Sequence, residues 1–168
     1  MNAPKIILSA TLAMIATGAM AFDKARYKTI VGETISTINS GDVDVAHLIS
    51  LQETLVDIGV TGARDFGASN ADHAALMTLV ADSAPAMSKM TLDEIEAAWH
   101  EGAALAAVGV DFDNLDHFGP AVSHMDAVIH PATAIIALRA YQASGDESHL
   151  HQVIDELSEV VEHISHLK

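Results

Sequence analysis

The spacing of the apolar residues limits the fold most, because they recur every three or four positions and not every second one. On a helix that turns about 100° per residue, the apolar residues of the last segment fall in one arc of about 140°. They are Leu150, Val153, Ile154, Leu157, Val160, Val161, Ile164 and Leu167. Aromatic residues make up only 4% of the chain, which also disfavours strands. The sequence therefore predicts an all-α fold.

Capping and turn residues divide the chain into a predicted bundle of five to six helices. The segments cover residues 23–38, 42–58, 70–82, 91–108, 120–143 and 146–167. Thr91 and Glu94 have the spacing of a capping box, Ser40-Gly41 ends the first segment and Gly145 ends the fifth. We expect a flexible loop over residues 59–69, which hold three glycines, and a helix break at Pro85. The fifth segment is apolar around most of its circumference and should lie centrally.

The N-terminus has the pattern of an export signal. Lys5 is followed by an apolar run over residues 6–16, and Ala19-Met20-Ala21 fits an A-x-A cleavage site. The run is short for a membrane span, which needs about 20 apolar residues, although an uncleaved anchor is the alternative. We predict a signal peptide over 1–21 and a single helical domain over 22–168, located in the periplasm or secreted. No second run of that length follows, so no membrane span is expected after cleavage.

Charge and cysteine content exclude several functions. The chain has 23 acidic residues against 8 lysines and arginines, a formal net charge of −15. Such a field disfavours nucleic acid and anionic membranes as partners and favours cations or a basic protein. The chain has no cysteine, which removes disulfides, thiolate metal sites, c-type haem attachment and cysteine nucleophiles. Histidine, carboxylate and methionine remain as metal ligands.

Ten histidines are an excess for a chain of this size, and the fifth segment holds the most informative ones. A buried imidazole or carboxylate must be hydrogen-bonded, paired or metal-bound. Asp126 and His130 lie four residues apart and share a helix face. His117 and His124 would share another face if the helix began early enough. Pro131 should kink the helix at His130 and expose a backbone acceptor beside this pair.

Further candidates lie on the fourth and sixth segments. His100 follows Glu96 by one helical turn, which suits a metal ligand with a carboxylate neighbour. On the last segment, Glu156 and His163 border the apolar arc, where side chains reach a neighbouring helix. The alternative for each is a polar side chain that hydrogen-bonds to another helix. The candidate metal ligands are therefore His124, His130, Asp126, His117, His100 and His163.

No catalytic motif is present in the sequence. A di-iron bundle needs two Glu-x-x-His motifs, and the zinc-protease, Gly-x-Ser-x-Gly and phosphate-loop patterns are also missing. We therefore expect a binding protein more than an enzyme. The sequence predicts a periplasmic, histidine-rich helical protein that binds Cu, Zn, Ni, Fe or haem for storage, delivery or sensing. The alternative is a non-catalytic acidic adaptor or envelope protein that binds another protein and responds to pH through its histidines.

Overall fold

The computed structural model describes residues 22–167. Within this range the chain forms six α-helices and no strand, which confirms the all-α fold. The helices are α1 (Lys24–Ser40), α2 (Val45–Ser69), α3 (Ala74–Met87), α4 (Leu92–Ile95), α5 (Pro120–Ser144) and α6 (Ser148–Ser165). A π-helical turn follows α4, and short 3-10 turns lie at Ala71–His73, Leu105–Val108 and Phe112–Asn114. The predicted signal peptide, residues 1–21, lies outside the described residues.

Local capping signals set several of the helix ends that the sequence predicted. The side chain of Asp23 accepts a hydrogen bond from the first turn of α1, and Gly41 ends that helix with a φ of 77°. Thr91 and Glu94 make both hydrogen bonds of the capping box, at 3.2 and 2.8 Å. Gly145 ends α5 with a φ of 71°. These positions need no tertiary information, because each cap satisfies backbone groups of its own helix.

The central helix of the bundle is α5. It packs against α2, α3 and α6 and is buried without interruption from Ala121 to Leu138. One hydrophobic cluster joins it to α1, α2 and α6, and the other joins it to α2, α3 and residues 95–105. By length and mean hydropathy, 1.3 over its most apolar window, α5 could cross a membrane, but the bundle buries all of that window. The expectation that no second run of that length follows residues 6–16 is therefore wrong for α5.

The predicted flexible loop over residues 59–69 is wrong, because α2 continues through them to Ser69. Its glycines are points of close helix contact. A Cβ atom on Gly59 would lie 2.3 Å from the carbonyl oxygen of Ala127, and one on Gly67 would lie 2.8 Å from Cβ of Met77. These glycines therefore let α2 approach α5 and α3, a use of glycine that depends on close backbone approach and not on flexibility.

Neither internal proline ends its helix. Helix α3 continues through Pro85 to Met87, so the predicted break is wrong, and α5 continues through Pro131. Pro131 leaves the carbonyl of Ala127 without its helical donor. The buried hydroxyl of Tyr27 donates to this carbonyl at 3.0 Å. The freed acceptor is therefore satisfied by α1 and does not serve the histidine cluster.

Candidate metal centre

Five of the six candidate ligands line one cavity of about 360 Å³ between α5, α6 and the segment from Glu96 to His117. These five are His100, His117, Asp126, His130 and His163. The carboxylates of Glu96, Glu156 and Glu159 line the same cavity. The bundle therefore brings together residues that lie up to 67 positions apart, from Glu96 to His163. His124 is the exception and lines a different cavity.

Three donor groups in this cavity converge, and we call them the inner triad: His100, His130 and Glu156. One ligand atom from each lies within 4.8 Å of the other two. His130 Nδ1 is 2.7 Å from Glu156 Oε2, and His100 Nε2 is 4.0 Å from the same oxygen. Ligands that share one ion at bond lengths of about 2.1 Å are separated by about 3.0 to 4.2 Å. Small side-chain shifts would therefore let the inner triad hold one transition metal ion.

The antiparallel packing of α5 and α6 aligns two carboxylate–histidine pairs. Asp126 and His130 are one turn apart on α5, and Glu156 and His163 are seven residues apart on the same face of α6. His130 Nδ1 consequently lies 2.7 Å from Glu156 Oε2. His163 Nδ1 likewise lies 2.9 Å from Asp126 Oδ2. Ser123 of α5 fixes this register, because its hydroxyl donates to the carbonyl of His163 at 3.0 Å. Each helix thus supplies one imidazole and one carboxylate.

A distorted turn presents His100 to the other two triad residues. The predicted helix over residues 91–108 is wrong, because α4 ends at Ile95 and a π-helical turn covers Glu96–His100. Gly102 then takes a φ of 79°, a conformation that favours glycine, and a Cβ atom there would lie 2.5 Å from Cβ of Phe112. His100 Nε2 also lies 3.4 Å from the hydroxyl of Thr133 on α5. Wide turns of this kind are frequent at functional sites.

The electrostatics of the cavity favour a cation. His130 is 2% exposed, and burial alone would lower its pKa. The hydrogen bond that the His130 ring donates to Glu156 and the negative charges of Asp126, Glu156 and Glu159 outweigh burial and raise the pKa of His130 above its usual value. No lysine or arginine of the described chain is among the lining residues. A proton on an imidazole or a bound metal ion is therefore the available positive charge.

His117 reaches the cavity from outside α5. The helix begins at Pro120, so His117 and His124 do not share a helix face, as their seven-residue spacing had suggested. The exposed ring of His117 instead stands edge-on against His163, with ring centroids 4.7 Å apart. It belongs to the short connection after Phe112–Asn114, so it can move with less restraint than a histidine on a buried helix.

His124 lies outside the cavity that holds the inner triad, next to α2 and the start of the described chain. Its ring stacks on Phe66 at a centroid distance of 4.8 Å and stands edge-on to Phe22 at 5.6 Å. Burial lowers the pKa of His124 to about 4, while the negative charge of Asp65 opposes that shift. His124 is six positions before His130, so the two residues project about 120° apart on one helix. The rotation of about 100° per residue therefore indicates from the sequence that His124 and His130 lie on different faces of α5.

Glu156 is the member of the inner triad that the set of six candidates omitted. Its seven-residue spacing from His163 placed it at the border of the apolar arc, which was the signal available in the sequence.

Comparisons with known protein families, curated proteins and solved structures gave no match to this chain. The cavity and its donor groups are therefore the observations that bear on its function.

Proposed function

We propose that this protein binds a transition metal ion through His100, His130 and Glu156. The observation that carries the proposal is the convergence of two imidazoles and one carboxylate, with a ligand atom of each inside 4.8 Å. Two histidines and one carboxylate are a recurrent ligand set of zinc and non-haem iron sites. The surrounding carboxylates add a negative field that attracts a divalent cation.

A single ion suits this cluster better than haem. The porphyrin fills four positions around haem iron, so the protein can supply only axial ligands. Three convergent donors exceed the two axial positions, and one of the donors is a carboxylate. Zn, Fe(II), Ni and Cu(II) all accept mixed imidazole and carboxylate ligands. Because three protein ligands leave part of the coordination shell free, the site would also accept water or a second small ligand.

The exposure of the donors favours an exchangeable ion and not a permanently enclosed one. The side chain of His130 is 3% exposed, whereas those of Glu156 and His100 are 13% and 22% exposed. An ion would therefore enter from the His100 side and leave by the same route. This arrangement, together with the predicted export, supports storage or delivery of a metal outside the cytoplasm.

Metal analysis of the untagged protein tests this proposal. The protein is stripped with a chelator, dialysed against Zn²⁺, Co²⁺, Ni²⁺ or Cu²⁺ in turn, and analysed for bound metal by elemental analysis. We expect near-stoichiometric retention of at least one of these ions. The Glu156→Gln and His130→Gln variants should lose an ion, whereas His151→Gln, which replaces an exposed histidine of α6, should not.

A protein that takes up none of these ions would refute the proposal. The two carboxylate–histidine pairs would then be interhelical contacts that fix the register of α5 and α6. The acidic adaptor function predicted as the alternative would become the preferred interpretation. A pull-down with Glu156→Gln would then retain its protein partner, because that partner would depend on surface acids.

A further inference from the structure

A second set of donors lies beside the inner triad, and we call it the outer set: Asp126, His163 and His117. Like the inner triad, it combines one carboxylate with two imidazoles. Asp126 precedes His130 by one turn of α5, which displaces the outer set by about 6 Å along the helix. The ring centroids of His130 and His163 are 6.2 Å apart. The two sets are therefore adjacent parts of one cavity.

The contact between His163 and Asp126 is close but is not a hydrogen bond. His163 Nδ1 and Asp126 Oδ2 are 2.9 Å apart, and yet Nδ1 has no hydrogen-bond partner within the described range. The carboxylate oxygen must consequently lie away from the direction in which this ring nitrogen would donate. The imidazole is 2% exposed, so water has little access to the nitrogen. A buried polar atom left without a partner is destabilising.

A shared metal ion accounts for this geometry. Two adjacent ligands of a six-coordinate ion, each bound at about 2.1 Å, lie about 3.0 Å apart. Both lone pairs then point at the ion, so neither ligand points at the other. The observed separation of 2.9 Å matches this arrangement. An ion there would satisfy the imidazole nitrogen and neutralise Asp126, which is only 7% exposed.

We propose that the cavity binds a second transition metal ion at Asp126 and His163, with His117 closing over it as a third ligand. The centre is then dinuclear, with one ion in the inner triad and one in the outer set. This inference rests on the metal binding proposed for the inner triad. Glu159 lines the cavity from α6, between Glu156 and His163 in sequence, and supplies a further carboxylate to either ion.

The stoichiometry of metal binding by the full chain tests the second ion. Zn²⁺ and Co²⁺ are bound separately by equilibrium dialysis, and the ions per chain are counted for each variant. We expect two ions in the unaltered protein and one in either Asp126→Asn or His163→Gln. Glu156→Gln should also retain one ion, and Asp126→Asn combined with Glu156→Gln should retain none. His124→Gln is the matched control, because its ring belongs to another cavity, and it should retain two.

The outcomes separate the second ion from the first. One ion per chain, lost in Glu156→Gln and retained in Asp126→Asn, overturns the outer site and leaves the inner one. Two ions that persist in both Asp126→Asn and His163→Gln overturn it as well, because the second ion is then bound elsewhere. Retention of no ion by the unaltered protein removes both proposals. Circular dichroism of every variant shows whether the fold is kept. If either Asp126→Asn or His163→Gln misfolds, the other still tests the outer site.

Discussion

The pH dependence of folding gives a direct test of where the structure places His124. Because burial lowers the pKa of His124 to about 4, the folded protein holds this imidazole neutral at pH values where an unfolded chain protonates it. The unfolded pKa is about 6.5. The stability that the neutral ring contributes is therefore complete above about pH 6.5 and is lost as the pH falls towards about 4.

The size of the loss follows from the difference between the two pKa values. At 1.36 kcal/mol per pKa unit, the full difference is equivalent to about 3 kcal/mol, and about 2 kcal/mol of it falls between pH 7 and pH 5. The ring borders an open cavity, which screens its charge, so we take about 1 kcal/mol as the smallest expected loss. Urea unfolding at these two pH values measures it, and the midpoint should move by about 0.5 M or more.

Other groups also titrate in this range, so the comparison is made between variants. His124→Phe keeps an aromatic ring against Phe66 and removes the titration. The loss of stability from pH 7 to pH 5 should therefore be smaller in His124→Phe than in the unaltered protein by about 1 to 2 kcal/mol. His151→Gln, at an exposed position of α6, should follow the unaltered protein. Equal pH dependence of His124→Phe and the unaltered protein would refute the placement of a neutral, buried His124.

Three further predictions concern helix packing and metal linkage. Gly59→Ala places a Cβ atom 2.3 Å from the carbonyl oxygen of Ala127, so it should lower the free energy of unfolding by about 1 to 3 kcal/mol. Gly32→Ala is the control, because Gly32 has open space around it, and it should not lower the free energy of unfolding. Tyr27→Phe removes the hydrogen-bond donor to the Ala127 carbonyl and should lower the free energy of unfolding by about 1 to 3 kcal/mol. Urea unfolding measures the stability of Gly59→Ala and Tyr27→Phe. Unchanged stability in either variant would contradict the contact that it alters. A metal at 100 times its Kd should raise the free energy of unfolding by about 2.7 kcal/mol for each bound ion. Calorimetry should show a smaller rise with Glu156→Gln, and an equal rise would contradict metal binding by the inner triad.

The sequence predicted those parts of the fold that depend on local chemistry. Gly41, Gly145 and the Thr91–Glu94 box end or begin helices through hydrogen bonds within a few residues, so the pattern alone locates them. The role of Gly59 could not be predicted from local hydrogen bonds. Its missing side chain serves a contact with Ala127 of α5, 68 positions away, and nothing local distinguishes such a glycine from one in a loop.

The cavity was predictable in its residue types but not in its partners. The spacing of Asp126 and His130 on α5, and of Glu156 and His163 on α6, follows from helical periodicity. Which pair faces which depends on the antiparallel register of the two helices, fixed in part by Ser123. His100 was harder still, because a π-helical turn sets its direction, and the sequence pattern of residues 91–108 predicts an uninterrupted α-helix.

The most direct test of metal binding is a crystal structure of the protein soaked in Zn²⁺, with diffraction data collected on both sides of the zinc absorption edge. An anomalous difference map locates the ion independently of any assumption about its ligands. We predict a peak at about 2.0 to 2.2 Å from ligand atoms of His130 and Glu156, with His100 completing the triad. An empty cavity, or a peak only at exposed histidines such as His151, would contradict the proposed function.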